Sequence, residues 1–242
     1  ETSIRDAFAE DLSGLPEPPE ESTALSGLRA AFSTLAPERR ERWQMAASTC
    51  HQLIRENGFV LLRGLPATEG LLEISILACL LGEPYFDMDQ QPTITVTARP
   101  HPGGALQGNQ TYPLPLHTDY CMLEHVPEAT IIRCVRPDPV CGMGCNGLAV
   151  ARDVMTSHFG SQDLYLFKSV SLPFGGTSPN GKDFLVSMPI LDPSNEPKQL
   201  TRVRFHPSRV HHGFRLRGLP ATSEEAYVLR AFAAAARDVR RE

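Results

Sequence analysis

Apolar residues at helical spacing predict helices towards both ends of the chain. One predicted helix begins at Pro37, which suits a first turn, and stops at Asn57-Gly58. A second spans residues 69–81 and is closed by Gly82, and a third begins at the capping box that runs from Thr222 to Glu225. The apolar faces of the first and third helices comprise Trp43, Ala46, Ala47, Cys50, Leu53 and Ile54, and Leu229, Phe232, Ala233, Ala236 and Val239.

Short runs of apolar and β-branched residues, bounded by Gly, Pro and Asn, predict strands in the middle of the chain. The predicted strands are residues 59–62, 93–97, 129–136, 164–168, 183–191 and 200–205, with turns at 175–176 and 180–181 and further helices at 2–12, 24–35 and 151–159. Strands joined by turns and flanked by helices indicate a mainly β fold, either an antiparallel sandwich or a jelly roll.

The length of 242 residues is enough for one domain with a substantial core. We therefore predict a single domain over residues 1–242. Its helical N-terminal part covers about residues 1–56, its β core about 57–242, and a helical insert about 222–241.

Composition and charge exclude several classes of function. The net charge of −5 gives no electrostatic reason to expect nucleic acid or an anionic membrane as a partner. The longest apolar run, residues 71–81, contains Glu73 and is too short to span a bilayer. Residues 1–10 lack the apolar region of a signal peptide, so a cytoplasmic location is expected.

The cysteines lie mostly inside apolar runs, which is typical of reduced, buried thiols in a cytosolic protein. Cys141 and Cys145 are the exception, since their spacing is that of half a zinc site. No second Cys or His pair follows at the spacing of a zinc finger, and this argues against zinc.

The strongest chemical motif is the pair His117 and Asp119, two residues apart in a predicted strand. Side chains at this spacing point to the same side of a strand, so the two form a chelating pair. A 2-His-1-carboxylate triad for non-haem Fe(II) takes two of its ligands in this way and leaves other positions open for O2 and a co-substrate.

The segment leading to this pair, residues 100–115, is rich in Gly, Pro, Asn and Gln and is predicted to be a loop. Loops beside a metal site often contact substrate, although a solvated surface loop explains the same composition. The candidate substrate contacts in this loop are Gln107, Asn109, Gln110 and Tyr112.

Four segments resemble the Fe(II)/2-oxoglutarate-dependent oxygenases of the taurine-dioxygenase superfamily, and within it the clavaminate-synthase-like branch. These are residues 57–66, ending in Gly-Leu-Pro; residues 80–84, Leu-Leu-Gly-Glu-Pro; residues 116–119 with 130–138; and residues 200–206, Leu-Thr-Arg-Val-Arg-Phe-His. These four segments occur along the chain in the same order as in the family. The resemblance implies a double-stranded β-helix, which is a form of jelly roll.

The resemblance also implies which groups bind iron and which molecules react there. His117 and Asp119 would bind Fe(II), 2-oxoglutarate would chelate it, and O2 would be consumed with release of succinate and CO2. The substrate expected for this branch is a small polar metabolite, a free or carrier-bound amino acid, that is hydroxylated or desaturated in natural-product biosynthesis.

The chain departs from the family pattern at three places. The family's distal His ligand and its 2-oxoglutarate-binding Arg are expected beyond Glu242, together with the C-terminal core strands, so we expect the sequence to be truncated. Asn146 stands near the position of a Thr that bonds 2-oxoglutarate. His206 and Ser208 stand where arginine-hydroxylating relatives carry two acidic residues, and this disfavours a basic substrate side chain.

Three alternatives remain open from the sequence. In the first, a later histidine takes the place of the third metal ligand. The available residues are His158, His206, His211 and His212. The second is a cupin-like metalloenzyme that does not use 2-oxoglutarate, although a cupin would show a denser histidine motif. The third is a jelly-roll binding protein without metal. A His followed by an Arg in the gene beyond Glu242 would favour the oxygenase.

Overall fold

The computed structural model of the chain describes residues 32–63, 72–82, 114–123, 126–127, 129–134, 138–140, 144–177, 181–192 and 202–240. The chain divides into two compact units, Glu1–Thr95 with Ile131–Cys141, and Val96–Thr130 with Gly142–Glu242. The predicted helix 2–12, most of 24–35, and the predicted strand 93–97 lie outside the described residues. Within the described ranges, no helix is long and apolar enough to cross a membrane.

The first unit contains two helices that the sequence predicts. Helix α1 spans Pro37–Asn57 and ends at Gly58, whose φ of 82° gives the left-handed conformation that favours glycine. Helix α2 spans Leu72–Leu81 and is followed by Gly82. The two helices share an apolar core made of Leu35, Trp43, Ala47, Cys50, Ile76 and Leu77.

The second unit contains a helix pair, a hairpin and two further helices. Helices α3 and α4 span Ala151–His158 and Ser161–Ser169. Strands β1 and β2 span Ser171–Thr177 and Asp183–Pro189 and pair antiparallel, with Ser171 opposite Pro189 and Thr177 opposite Asp183. Helices α5 and α6 span Pro207–Arg217 and Ser223–Asp238. The predictions of α3, β2 and α6 are confirmed.

Two predictions for the residues between α3 and the end of the hairpin are wrong. Residues 164–168 form part of α4 and not a strand, because the Asp163 carboxylate accepts a hydrogen bond from the Gly160 N–H and starts a helix that buries Phe167. Gly175 and Gly176 lie inside β1 and do not form a turn. The turn of the hairpin comes later, and Gly181 adopts a φ of 79° there.

Three predicted strands have no regular structure where the structure describes them. Residues 59–62 and 129–134 are neither helix nor strand, and Leu61 and Ile132 are largely exposed. In residues 202–205 only Val203 makes an isolated bridge, to Leu191. A short apolar run becomes a strand only where a partner backbone pairs with it, which composition does not reveal. The double-stranded β-helix and the single domain with its stated boundaries remain predictions.

Helix α5, which the sequence analysis did not predict, packs tightly against β1. A Cβ atom on Gly213 would lie 2.1 Å from the Pro173 carbonyl oxygen, and one on Gly175 would lie 2.8 Å from the Gly213 backbone. Glycine at both positions therefore allows the helix to approach the strand. His211 and His212 lie on α5.

The core of the second unit lies between the hairpin and the helices. Phe205, Phe167 and Phe232 meet there, with ring centroids 4.7 Å apart for the first and third and 5.8 Å for the second and third. Burying such apolar side chains contributes roughly 1.5–3 kcal/mol each. The buried residues with under 2% exposure include Cys121, Val154, Met155, Phe167, Leu172, Phe174, Ile190, Leu191, Val210 and Val228.

Helix α6 begins with the predicted capping box. The Thr222 hydroxyl accepts a hydrogen bond from the Glu225 N–H, and the Glu225 carboxylate accepts one from the Thr222 N–H at 2.7 Å. Arg217, at the end of α5, donates to both oxygens of the same carboxylate, at 2.6 and 3.0 Å. Glu225 therefore joins the end of one helix to the start of the next.

Replacing Glu225 with Gln should lower Tm at neutral pH and flatten its dependence on acid. Hydrogen bonding to Arg217, and next the Thr222 cap, hold the pKa of Glu225 below its usual range. The stability from this carboxylate is therefore present above its ordinary pKa and lost as pH falls through the lowered one. Wild-type Tm should fall more steeply between roughly pH 5 and pH 3 than that of Glu225→Gln. The exposed neighbour Glu224→Gln is the control, and equal acid dependence in all three proteins would contradict the assignment.

Candidate metal centre

Thr118 fixes the predicted metal-binding segment to a distant part of the chain. Its N–H donates to the Phe205 carbonyl at 2.6 Å, and its hydroxyl accepts from the Phe205 N–H at 2.9 Å. The hydroxyl also lies 3.3 Å from the Phe205 carbonyl oxygen. Residues 87 positions apart are thus held side by side, and the neighbours of Thr118 and Phe205 meet as a result.

The turn that follows Thr118 is held by a buried arginine. Arg204 is only 5% exposed; its guanidinium donates to the carbonyls of Leu123 and Cys121 and lies 3.5 Å from the Asp192 carboxylate. Tyr120 has a φ of 54°, which is uncommon for a residue other than glycine. The predicted strand at His117 and Asp119 is wrong, since residues 119–122 form this turn, but the two side chains still converge.

The side chains of His117 and Asp119 lie close together at the start of this turn. The His117 Nε2 atom lies 3.4 Å from Asp119 Oδ1, and the two side chains are 24% and 48% exposed. His117 Nδ1 lies 2.8 Å from the Pro115 carbonyl oxygen, to which it donates. A backbone carbonyl bonded to one ring nitrogen is how proteins commonly orient a metal-binding imidazole, because it leaves the other nitrogen for the metal.

The two side chains stabilise each other's charged forms. The hydrogen bond that His117 donates to the Asp119 carboxylate raises the pKa of His117, and burial opposes this. The hydrogen bond from His117 lowers the pKa of Asp119, and again burial opposes it. A cation bound by both groups would replace the proton that they share, so the pair is one imidazole nitrogen and one carboxylate ready to bind a metal.

His206 lies against this pair. Its ring centroid is 4.6 Å from that of His117, and it is 9% exposed. Burial, followed by the positive charges of His117 and Arg209, lowers its pKa to about 4. His206 is therefore neutral at neutral pH. Its Nδ1 atom is buried without a hydrogen-bond partner.

The side chains present fit part of an iron site. An imidazole nitrogen and a carboxylate oxygen are the ligand types of the facial triad, and their 3.4 Å separation allows both to reach one cation. Among the described residues, however, no group of three His, Cys, Asp or Glu side chains is placed to hold a metal ion. Burial raises the pKa of the Cys121 thiol to about 12, so the thiol is protonated at neutral pH when no metal is bound.

The other predicted site residues occupy different places. Asn146 lies on an exposed segment before α3, and Ser208 lies in the first turn of α5. Of the alternative histidines, His158 and His211 are exposed on their helices, and only His206 approaches the pair. The substrate candidates Gln107, Asn109, Gln110 and Tyr112, and the cysteine Cys141, lie outside the described residues.

Three residues with roles around the pair were not predicted from the sequence. Thr118 and Arg204 hold the segment in place, and Arg209 contributes a positive charge close to His206. Thr118 stands between the two predicted ligands, and Arg204 lies in a segment that resembles the family. Their partners are distant in sequence, so no local pattern signals their roles.

One family model matches part of the chain. Residues 45–155, which include His117, Asp119 and Asn146, match the family of the taurine catabolism dioxygenase TauD, the TauD/TfdA family. The predicted resemblance to the taurine-dioxygenase superfamily is thereby confirmed; the clavaminate-synthase-like branch stays a prediction. Enzymes of this family are 2-oxoglutarate-dependent dioxygenases that use Fe(II) and 2-oxoglutarate. No curated protein and no solved structure matches the chain.

Replacing Thr118 with Val should destabilise the second unit while keeping the side-chain shape. Phe205 is 3% exposed, so its N–H would be left buried without an acceptor. Such a loss costs about 1–3 kcal/mol of unfolding free energy. Thr118→Ser, which keeps the hydroxyl, is the matched control and should recover most of the loss in urea unfolding. Equal stability of the Val variant and the wild type would show that this hydrogen bond is not required.

Proposed function

We propose that this protein is an Fe(II)- and 2-oxoglutarate-dependent oxygenase that hydroxylates or desaturates a small polar, amino-acid-like metabolite. Two independent findings about the same two residues support this proposal most directly. The family match spans His117 and Asp119, and the structure brings their donor atoms to 3.4 Å. A chance His-x-Asp pair would not be expected to satisfy both.

In this proposal His117 and Asp119 hold the metal. The hydrogen bond from His117 Nδ1 to Pro115 keeps Nε2 available, and the Thr118–Phe205 bonds keep both ligands on one side of the segment. Asp119 is half exposed, so the pair is accessible to small molecules from solvent. When bound, the iron and 2-oxoglutarate supply the oxidising chemistry, with O2 consumed and succinate and CO2 released.

The substrate class rests on the residues beside the pair. His206 is neutral and Ser208 is uncharged, and the first turn of α5 has no acidic residue. A substrate with a cationic side chain would find no carboxylate there to pair with. A small polar amino acid, free or on a carrier, fits better, and its modification would be a tailoring step in natural-product biosynthesis.

A metal-free binding protein is the second candidate, because the described residues supply two donors and not three. The two candidates differ in one measurable product. Only the oxygenase converts 2-oxoglutarate to succinate in the presence of Fe(II) and O2.

Replacing His117 with Ala should abolish succinate formation that depends on Fe(II), because one of the two metal-binding donors is lost. The full-length protein would be incubated with Fe(II), 2-oxoglutarate, O2 and a panel of L-amino acids, and succinate measured by mass spectrometry. His158→Ala removes an exposed histidine elsewhere and should leave turnover unchanged. Unchanged turnover in His117→Ala would remove this residue from the site, and no succinate from the wild type with any member of the panel would favour the binding protein.

Replacing Asn146 with Ala should raise the concentration of 2-oxoglutarate needed for half-maximal turnover. Loss of one hydrogen bond, about 0.5–1.5 kcal/mol, corresponds to roughly a two- to tenfold increase. Asn146→Thr restores a hydroxyl donor of the kind that the family carries, and should recover the requirement. An unaltered requirement in the Ala variant would show that Asn146 does not contact 2-oxoglutarate.

A further inference from the structure

The first turn of α5 has several properties of an anion-binding site. The helix begins at Pro207, directly after His206, and His206 makes no side-chain capping hydrogen bond. The first N–H groups of a helix lack intrahelical acceptors, and the helix dipole places partial positive charge there. Asp, Asn, Ser and Thr are preferred directly before a helix, but His206 stands there in α5 and the first turn has no acidic residue.

Arg209 adds a full positive charge to the same turn. A cation at the start of a helix is unfavourable against the dipole, so its presence needs an explanation. Within the described part of the chain, its guanidinium packs 5.9 Å from the centre of the Phe184 ring and makes no ion pair. Its Nε atom is buried without a hydrogen-bond partner. Buried donors are normally satisfied. The Nε atom of Arg217 is also buried without a partner, but Arg217 bonds to Glu225 through its other nitrogens.

The hairpin has a space that this arginine fills. A Cβ atom on Gly176 would lie 2.0 Å from Arg209 Nη1 and 2.7 Å from the Phe184 ring. Glycine at this position of β1 therefore lets the guanidinium lie against the strand. The close contact between Gly213 and Pro173 fixes the helix that carries it.

His206 provides an independent sign of a missing partner. It is nine-tenths buried, its Nδ1 has no hydrogen-bond partner, and its ring lies 4.6 Å from His117. His206 and Arg209 thus each have a buried polar atom without a hydrogen-bond partner, and the ring of His206 lies against the candidate metal pair. Buried polar groups without a partner are unfavourable, and a ligand that bonds to them removes that cost.

A carboxylate is suited both to a guanidinium and to the N–H groups of a helix start. It carries negative charge, accepts hydrogen bonds only, and matches the planar guanidinium with its two oxygens. Helix N-termini bind such anions through their N–H groups. A neutral amide would leave the charge of Arg209 and the helix dipole uncompensated.

We propose that Arg209 and the first turn of α5 bind the carboxylate of the ligand held beside His117 and Asp119. This rests on the proposed function only for the ligand's identity, which is either 2-oxoglutarate or a carboxylate-bearing substrate. Arg209 is then the residue that selects an anionic ligand for the site.

The test is binding of acetate, the simplest carboxylate, to the metal-free protein at constant ionic strength. The backbone amide NMR signals of Ser208 and Arg209 should shift saturably with acetate and not with neutral acetamide. Arg209→Gln should raise the acetate Kd about tenfold, the effect of losing a charge-assisted pair. Arg209→Lys keeps the positive charge but lacks the planar guanidinium. Its acetate Kd should therefore lie between those of the wild type and Arg209→Gln. Arg215→Gln, an exposed arginine later on α5, should bind as the wild type does.

Repeating the acetate titration in the presence of 2-oxoglutarate identifies the source of the carboxylate. Loss of the acetate response, with 2-oxoglutarate itself shifting Ser208 and Arg209, assigns the site to the co-substrate; a retained response assigns it to the substrate. The proposal is overturned if acetate gives no saturable shift, or if Arg209→Gln, shown to be folded by its NMR spectrum, binds as tightly as the wild type. Because no iron or turnover is involved, this result is separate from the failure of the oxygenase proposal.

Discussion

The arrangement of the candidate site depends on the hydrogen bonds between Thr118 and Phe205. They join the turn that carries His117 and Asp119 to the segment that leads into α5, although 87 residues separate the two in sequence. The buried Phe205 ring anchors this contact in the apolar core against Phe232. A side chain that both donates and accepts at one backbone position fixes the register of two segments without a regular sheet. The metal pair and the start of α5 are therefore positioned by the same contact.

The buried side chain of Arg204, next to Phe205 in sequence, reinforces the contact between Thr118 and Phe205. Arg204 is almost fully buried, and its guanidinium bonds the carbonyls at the end of the turn while Asp192 balances its charge. Removing Arg204 or Asp192 would leave the other charge buried without a counter-charge. The stability lost in this way exceeds the stability that the ion pair itself provides. This argues that Arg204 holds the geometry of the turn. Arg209, by contrast, has no such counter-charge in the described residues, and this difference between two arginines five positions apart points to a ligand for the second.

Features encoded by adjacent residues could be predicted from the sequence. The proline and glycine that bound α1, the capping box of α6 and the His-x-Asp pair are all local, and the resemblance to the dioxygenases holds over residues 45–155. Features that depend on distant partners could not. Residues 164–168 have strand-like composition but form a helix, and the glycines at 175–176 serve packing against α5 and not a turn. The roles of Thr118 and Arg209 likewise exist only once the chain has folded.

The charges around the site link the proposed oxygenase to the proposed carboxylate site. The hydrogen bond between His117 and Asp119 favours the charged form of each side chain, His206 is neutral, and Arg209 adds a positive charge. A divalent cation would displace the proton from His117 and leave the surroundings still more positive. Such a site favours ligands that carry more than one negative charge, or that place a carboxylate near the metal, and disfavours cationic ones. 2-Oxoglutarate is a dianion, and an amino acid offers a carboxylate beside a neutral or polar side chain. The absence of acidic residues at the start of α5 and the presence of Arg209 are thus two aspects of one electrostatic preference.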